Sequence, residues 1–326
     1  MSRKLSQFET YFVHEFVEDY VDGIMSRRDM TRRVLHIVGS VAATATILTR
    51  LGVKSVSAQD ATPPPRPTPT GPRSSESVAE DDPRITGEDI TFPGSDGAEI
   101  TAYQAMPAEG EGPFPVVLIC HENRGLTEHI RDVARRWAAQ GYVAAALDLA
   151  SREGGTAAIA DPAEIPAILS EEANLPRHVA DFQAAAAHYG TQEFADAARL
   201  GMTGFCFGGG ITWRCATEMP ELKGAAPYYG PVPPLEDVPN IRAAVFGAYS
   251  DDPDDGANEG LQELIAALEA AGVTFEINIY PDTQHAFHND TGPRWNEEQA
   301  LAAWNDTVAW FEQYVKGAGG AATPVA

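Results

Sequence analysis

The chain has 326 residues and a formal net charge of −24 at pH 7, with 23 Lys and Arg against 47 Asp and Glu. Such an acidic surface argues against nucleic acid or an anionic membrane surface as a partner, because both need clustered basic side chains. Three cysteines occur, Cys120, Cys206 and Cys215. An odd number of thiols, all inside one predicted domain, argues against a disulfide framework.

Residues 1–58 are predicted to form an N-terminal leader. "SRRDMTRRVL" places two arginine pairs ahead of an apolar stretch that is rich in Ala and Thr and is shorter than the about 20 apolar residues of a membrane span. This pattern is typical of a twin-arginine export signal, with Arg27 and Arg28 as the favoured pair and cleavage after Ala58. It predicts the twin-arginine machinery as a partner, a periplasmic or extracellular location, and no stable membrane span after processing.

An uncleaved membrane anchor is the alternative for the same leader. In "LSQFETYFVHEFVEDYVDGI" the aromatic residues recur at helical spacing, which is the pattern of an amphipathic helix. The following residues 59–84 are rich in Pro, Thr and Ser and are predicted to be a disordered linker. The folded domain is then predicted at 85–317, with a flexible tail at 318–326.

The domain begins with two β-rich runs around a Gly-Ser-Asp-Gly turn, "EDITFPGSDGAEITAYQAMP", which predict an antiparallel hairpin. Short apolar runs then alternate with amphipathic helical segments up to the closing helix "NEEQALAAWNDTVAWFEQYVK". Continuous apolar strands separated by such helices indicate a mostly parallel sheet covered on both faces. The predicted fold class is therefore α/β, with one domain.

The stretch "GFCFGGG" at 204–210 follows the apolar strand "RLGMTG". It has the G-x-S-x-G pattern of a nucleophile on a tight strand-to-helix turn, with sulfur in place of oxygen, and glycine flanks it because larger side chains would collide with the neighbouring strand. The helix N-terminus is expected to lower the pKa of Cys206 from about 8.5. The alternative is an ordinary buried cysteine in a glycine-rich junction.

A thiol nucleophile needs a base and an acid that orients the base, and in this type of fold they follow the nucleophile in the order acid, histidine. "SDDPDD" after one strand offers Asp251, with Asp252 as the alternative. "PDTQHAFHN" after the last strand offers His285, with His288 as the competitor. The two histidines could also be a metal pair, but zinc needs a third protein ligand, so neither a metal nor another cofactor is predicted.

The loop after the first parallel strand, "VVLICHENRGL", is expected to donate one backbone N–H to an oxyanion hole. The predicted donors are the amides of Phe207 and Asn123. Arg124 of the same loop is expected near the pocket mouth, or else in a surface ion pair with Glu128 or Asp132. Further candidates for the pocket wall, with ordinary packing as the alternative, are Tyr228, Tyr229 and Trp295.

With these residues in place, the sequence resembles the dienelactone hydrolase family of α/β hydrolases, and especially its exported branch with a twin-arginine leader. The resemblance runs from about residue 87 to residue 316 and rests on "HENRGL", "GFCFGGG" and "HAFHNDTGPRWNE". It implies the α/β-hydrolase fold and a Cys–Asp–His triad formed by Cys206, Asp251 and His285. It also implies that Glu122 lies near the thiol in the resting enzyme.

The sequence departs from the family at Asn289, where the founding enzymes have an arginine that binds the substrate carboxylate. Neutral substrates are therefore expected to be preferred to carboxylated ones. The predicted function is hydrolysis of a small-molecule ester or lactone through an acyl-enzyme intermediate. The alternatives are a thioesterase or general carboxylesterase, and a non-catalytic exported protein that binds small molecules on the same fold.

Overall fold

The computed structural model describes Leu5, residues 7–21, Gly23, and residues 25–53 and 72–317. Its strands are β1 Ile85–Pro93, β2 Glu99–Pro107, β3 Phe114–Cys120, β4 Val143–Leu147, β5 Ala195–Phe205, β6 Gly224–Tyr228, β7 Ala244–Ser250 and β8 Phe275–Tyr280. Its helices are α1 Gln7–Val21, α2 Arg27–Val38, α3 Val41–Arg50, α4 Glu128–Ala139, α5 Ile165–Ser170, α6 Leu175–Tyr189, α7 Phe207–Glu218, α8 Leu261–Ala271 and α9 Glu297–Tyr314.

The strands form one sheet in the order β1-β2-β4-β3-β5-β6-β7-β8. β1 and β2 form an antiparallel pair, and β2 is also antiparallel to β4. The other neighbours are parallel. The mostly parallel sheet and its antiparallel opening hairpin are as the sequence predicted.

The inner strands are covered on both faces. Every residue of β4, β6 and β7 is buried, as expected for continuous apolar runs in a parallel sheet. The parallel register places Cys120 beside Gly204 and Ser250 beside Tyr280. The carboxyl ends of β3, β5, β7 and β8 therefore lie along one edge, where the loops that follow them meet.

The described part of the predicted leader folds against this edge of the sheet. α1 buries one aromatic face made of Phe8, Tyr11, Phe12 and Phe16, whose spacing follows the turns of a helix. Arg33 of α2 lies over the Phe16 ring, 5.4 Å from its centroid. Among the residues that the structure describes, no helix is long and apolar enough to cross a membrane.

The second half of the predicted linker differs from the sequence expectation. The backbone N–H groups of Arg73 and Ser74 donate to Oδ2 of Asp290 at 2.9 and 2.8 Å, and that of Val78 donates to Asp132 at 2.7 Å. Residues 72–84 thus pack on the domain, because buried carboxylates accept their backbone amides. The first part of the linker at 59–71, the predicted cleavage point after Ala58 and the tail at 318–326 lie outside the described residues.

Candidate active site

Cys206 lies between the end of β5 and the start of α7 with backbone angles of φ 60° and ψ −123°. A Cβ atom added at Gly204 would lie 2.2 Å from the carbonyl oxygen of Gly208, and one added at Gly208 would lie 2.4 Å from that of Cys120. Both flanking positions therefore require glycine. Gly208 packs on the neighbouring strand β3, as the sequence pattern suggested, whereas Gly204 packs on the backbone of α7. The turn holds the thiol at the carboxyl edge of the sheet.

His285 is the histidine that the structure brings to this thiol. A ring nitrogen of His285 and Sγ of Cys206 lie within 4.8 Å of each other, and both residues are buried. His288, the competing candidate, stacks on Phe205 at a centroid distance of 5.0 Å, and burial holds its pKa well below the usual value. It belongs to the hydrophobic core behind the site.

Asp255, not Asp251, accepts the hydrogen bond from Nδ1 of His285, at 2.9 Å. The Asp251 carboxylate is exposed and accepts the backbone N–H groups of Asp282 and Thr283 instead. Asp255 is buried and held by the Ser250 hydroxyl at 2.6 Å, because the chain turns back after leaving β7. The prediction that Asp251 lies beside the histidine is therefore wrong. It was made because Asp251 is the first carboxylate after the strand, and Asp252 does not take that place either.

The reacting edge of Cys206 and His285 is covered by α1, which the sequence analysis did not foresee. The Tyr11 hydroxyl donates to Sγ of Cys206 at 2.9 Å and lies 3.3 Å from Nε2 of His285. Glu15 places Oε1 2.9 Å from that Nε2 and accepts from the thiol at 3.2 Å through Oε2. Asn123 donates its side-chain amide to the same Oε2 at 3.0 Å. The helical spacing of the α1 aromatics was the only signal of this contact.

Glu122, which the family resemblance placed near the thiol, makes a different contact. Its carboxylate accepts from the Asn289 side-chain amide at 2.6 Å. The carboxylate within hydrogen-bond distance of Cys206 is that of Glu15. Glu122 and Asn289 both line the cavity beside the thiol, and the Glu122 charge acts on Cys206 from there.

The electrostatics of this arrangement oppose a thiolate. Burial, and then the Glu15 charge, raise the pKa of Cys206 to about 12, against smaller opposing effects of His285. The lowered pKa that we expected from the helix N-terminus is therefore wrong for this state. Burial lowers the pKa of His285, but Glu15 and Asp255 outweigh it and hold that pKa well above the usual value. These directions favour an imidazolium between two carboxylates and a neutral thiol.

A cavity of about 780 Å³ lies beside the thiol, between α1, α2 and the sheet edge. Arg124 lines it and pairs with Asp19 of α1 at 2.8 Å. Arg294 also lines it and pairs with Glu18 of α1. The expected surface partners of Arg124 are engaged elsewhere, Glu128 with Arg135 and Asp132 with Arg136. Arg124 is thus at the pocket, as predicted, with a partner that the sequence did not reveal.

The aromatic candidates divide between the site and the core. Tyr229 is buried with its ring 5.0 Å from that of His285, at a φ of 35°. Tyr228 donates its hydroxyl to the backbone of Ala303 and belongs to the core. Trp295 is covered by the Arg73 guanidinium at 4.6 Å rather than facing the cavity.

The two predicted oxyanion donors both lie close to the thiol. Phe207 is the first residue of α7, where a backbone N–H has no partner within the helix. Asn123 borders the cavity. The role of these two amides stays a prediction.

Within the described part of the chain, one group of side chains could hold a metal ion. The ligand atoms of Glu15, Cys206 and His285 all lie within 4.8 Å of one another. One of the three donors comes from α1, so such a site would exist only while that helix is in place.

Known proteins resemble this chain over most of the folded domain. Residues 100–315 match the model of the dienelactone hydrolase family. A protein of Methylorubrum extorquens named "Putative carboxymethylenebutenolidase" is 37% identical over 245 residues, covering 71% of this chain and 81% of its own length. A protein of the same name from Escherichia coli K12 is 37% identical over 235 residues, covering 68% of this chain and 84% of its own.

Among solved structures, the "Putative Dienelactone Hydrolase" of Klebsiella pneumoniae superposes with a TM-score of 0.65 at 33% identity. The match covers 71% of this chain and 99% of that structure. The chain therefore belongs to the dienelactone hydrolase family, and its fold is that of the α/β hydrolases. It is a hydrolase of ester or lactone substrates. The family match begins at residue 100, after α1, α2 and α3.

Proposed function

We propose that the chain hydrolyses its substrate through a covalent acyl-enzyme intermediate, with Cys206 as nucleophile, His285 as general base and Asp255 as the residue that orients the imidazole. The observation that carries this proposal is the Asp255–His285 hydrogen bond of 2.9 Å beside a thiol on a strained turn. A base whose far nitrogen is fixed by a carboxylate is the arrangement that activates hydroxyl and thiol nucleophiles.

The chemistry begins once Tyr11 and Glu15 no longer cover Sγ. Nε2 of His285 takes the thiol proton, and Sγ attacks the carbonyl carbon, for which the two atoms must approach to about 3–3.5 Å. The negative charge that develops on the carbonyl oxygen is expected to be stabilised by the amides of Phe207 and Asn123. When the ester C–O bond breaks, the imidazolium protonates the leaving alkoxide, which in a lactone stays attached to the acyl group.

Water then completes the cycle. His285 removes a proton from a water molecule, the resulting hydroxide attacks the thioester carbon, and the C–S bond breaks. The carboxylic acid leaves, and the proton held by His285 returns to the thiolate of Cys206. The same residues would serve thioester or general carboxylester substrates, so the choice of leaving group depends on the cavity walls.

The test is a panel of p-nitrophenyl esters and small lactones, assayed with the wild type, Cys206→Ala and Cys215→Ala. Cys215 is a buried thiol of α7 that does not face the cavity, so it is the matched control. Cys206→Ala is expected to lose turnover, and intact mass should reveal an acyl group on the wild type and on Cys215→Ala alone. Retention of most of the turnover by Cys206→Ala would refute the proposal.

A further inference from the structure

The N-terminal helix contacts the reacting atoms of the domain on which it packs. Tyr11 and Glu15, one helical turn apart on α1, both lie within hydrogen-bond distance of Cys206 and His285. A substrate carbonyl would need the space that these two side chains fill, because attack requires it to lie beside Sγ within reach of the base. Helix and substrate therefore exclude each other.

The helix is anchored by apolar contacts on the same side. The Phe12 ring packs 5.9 Å from that of Phe207, the residue after the nucleophile, and Phe8 lies against the α7 backbone near Gly210. Phe12 is fully buried although it touches none of the reacting atoms. These contacts hold α1 across the start of α7, so the position of Glu15 does not depend on its own hydrogen bonds alone.

Two arginines at the cavity mouth contact acidic side chains near the far end of the helix. Asp19 pairs with Arg124, and Glu18 pairs with Arg294. The acidic face of α1 thus meets the guanidinium groups of the pocket while its aromatic face meets α7. The helix is therefore complementary in charge and shape to the surface that it covers, from Phe8 to Asp19.

We propose that α1 is an intramolecular inhibitor, which occupies the active site of its own chain and lowers its activity to that of the small fraction of molecules in which the helix has left. The inhibition rests on the proposed function, since it is defined by the availability of Cys206 and His285. Besides blocking the space, the docked helix holds these two groups in the wrong protonation states. Burial and the Glu15 charge raise the pKa of Cys206. Burial lowers the pKa of His285, but the Glu15 charge raises it and favours the imidazolium.

The experiment uses the full-length chain and two readouts, the rate at which iodoacetamide alkylates Cys206, read by peptide mass, and kcat/KM on an ester. Phe12→Asp should expel the helix, because a buried carboxylate cannot be paired against Phe207. Glu15→Ala should weaken docking without disturbing the core. Val21→Asp is the matched control, since Val21 is on the same helix and 69% exposed.

Both rates are expected to rise about tenfold or more in Phe12→Asp, and to rise in Glu15→Ala, because the apparent rate scales with the open fraction. Val21→Asp should behave as the wild type. If Phe12→Asp does not fold, as judged by circular dichroism, Glu15→Ala decides the matter. Equal alkylation and turnover rates in the wild type and Glu15→Ala would overturn the inhibitory role and leave the proposed hydrolase chemistry intact. Faster alkylation without any turnover would support occlusion and count against the hydrolytic role of Cys206.

Discussion

The Glu15 carboxylate lies 2.9 Å from Nε2 of His285, while the Asp255 carboxylate lies 2.9 Å from Nδ1 of the same ring. An imidazole between two carboxylates binds its second proton tightly, so it cannot accept one from Cys206. The contact with Asp255 comes from the domain and is the one that the proposed mechanism requires. The contact with Glu15 comes from α1, so the protonation state of His285 depends on whether the helix is docked.

Docking of α1 should weaken as the pH rises. Glu15 and Asp255 raise the pKa of His285 against the opposing effect of burial, and only the Glu15 effect depends on docking, so this contribution to docking is lost as the pH rises through the raised value. Burial raises the pKa of Glu18 to about 7, and this contribution is lost between about 4.5 and 7. The titratable groups that surround His285 are Tyr11, Glu15 and Glu18 of α1, and Cys206, Tyr229 and Asp255 of the domain.

The measurement is the ratio of kcat/KM of the wild type to that of Phe12→Asp between pH 5.5 and 8.5. Both chains carry the same catalytic groups, so their own titration cancels and the ratio reports docking. The ratio should rise toward one as the pH increases, by up to about tenfold per pH unit for each proton that is released when the helix leaves. Glu18→Gln removes the step near pH 7 and should flatten the lower part of the curve. A ratio that is constant or falls with pH would contradict the prediction.

Asp255→Asn should reduce kcat/KM far more than Asp251→Asn. Replacing a carboxylate that orients a catalytic histidine lowers turnover by about 10⁴-fold in a comparable triad, because the ring adopts the wrong tautomer. Asp251 touches only backbone amides of the loop that leads to His285, so its replacement should cost about tenfold or less. Both variants are compared in the Phe12→Asp background, where the site is open. Equal losses would return Asp251 to the role first assigned to it.

The nucleophile turn should tolerate no side chain at Gly208. An added Cβ would lie 2.4 and 2.5 Å from the carbonyl oxygens of Cys120 and His121, and neither backbone group can move without shifting β3. Gly208→Ala is expected to lower the free energy of unfolding by about 3 kcal/mol or more. Gly190→Ala, where the nearest atom lies at 3.3 Å, should change it by about 1 kcal/mol or less. Urea unfolding curves of both variants test this difference.

The leader should direct export through Arg27 and Arg28, which lie in the first turn of α2. Replacing both by Lys is expected to retain the precursor in the cytoplasm, because the receptor recognises the arginine pair and not positive charge alone. Cell fractionation is the measurement, and the matched control replaces Arg32 and Arg33 by Lys. Loss of export in the control alone would assign the signal to the second pair. Full export of both would favour an uncleaved anchor.

The sheet and the nucleophile turn could be predicted because their causes are local. Apolar runs of strand length and glycines on either side of Cys206 carry the same meaning in any α/β domain. The identity of the acid could not be predicted in this way, since Asp251 and Asp255 are equivalent as residue types in one short loop. The choice is made by the turn itself, where Asn258 donates to the carbonyls of Ser250 and Asp252 and directs Asp255 inward.

The role of α1 could not be predicted from the sequence either. An amphipathic helix with an aromatic face fits a membrane surface or a protein groove equally well, and only the tertiary arrangement places Phe12 on α7. Arg294 shows the same limit. It lies within the quoted motif before α9, but its significance depends on the cavity and on Glu18, which come from distant parts of the chain.

Substrate charge should be sensed by Arg124. The expectation of neutral substrates rested on Asn289 and on the acidic surface, whereas Arg124 and Arg294 both line the cavity and bind carboxylates of α1 in the docked state. In Phe12→Asp these carboxylates are withdrawn, and a carboxylated lactone can take their place. Loss of a hydrogen bond to a charged group costs about 1.5–3 kcal/mol, so Arg124→Ala in that background should lower kcat/KM about 10- to 100-fold for the carboxylated lactone. The kcat/KM for the matched neutral lactone should change little.

Arg199→Ala is the control, because Arg199 pairs with Asp196 near the opposite end of β5. Equal losses on both lactones would show that Arg124 supports the loop rather than the substrate, and an unchanged preference for the neutral lactone would restore the inference from Asn289.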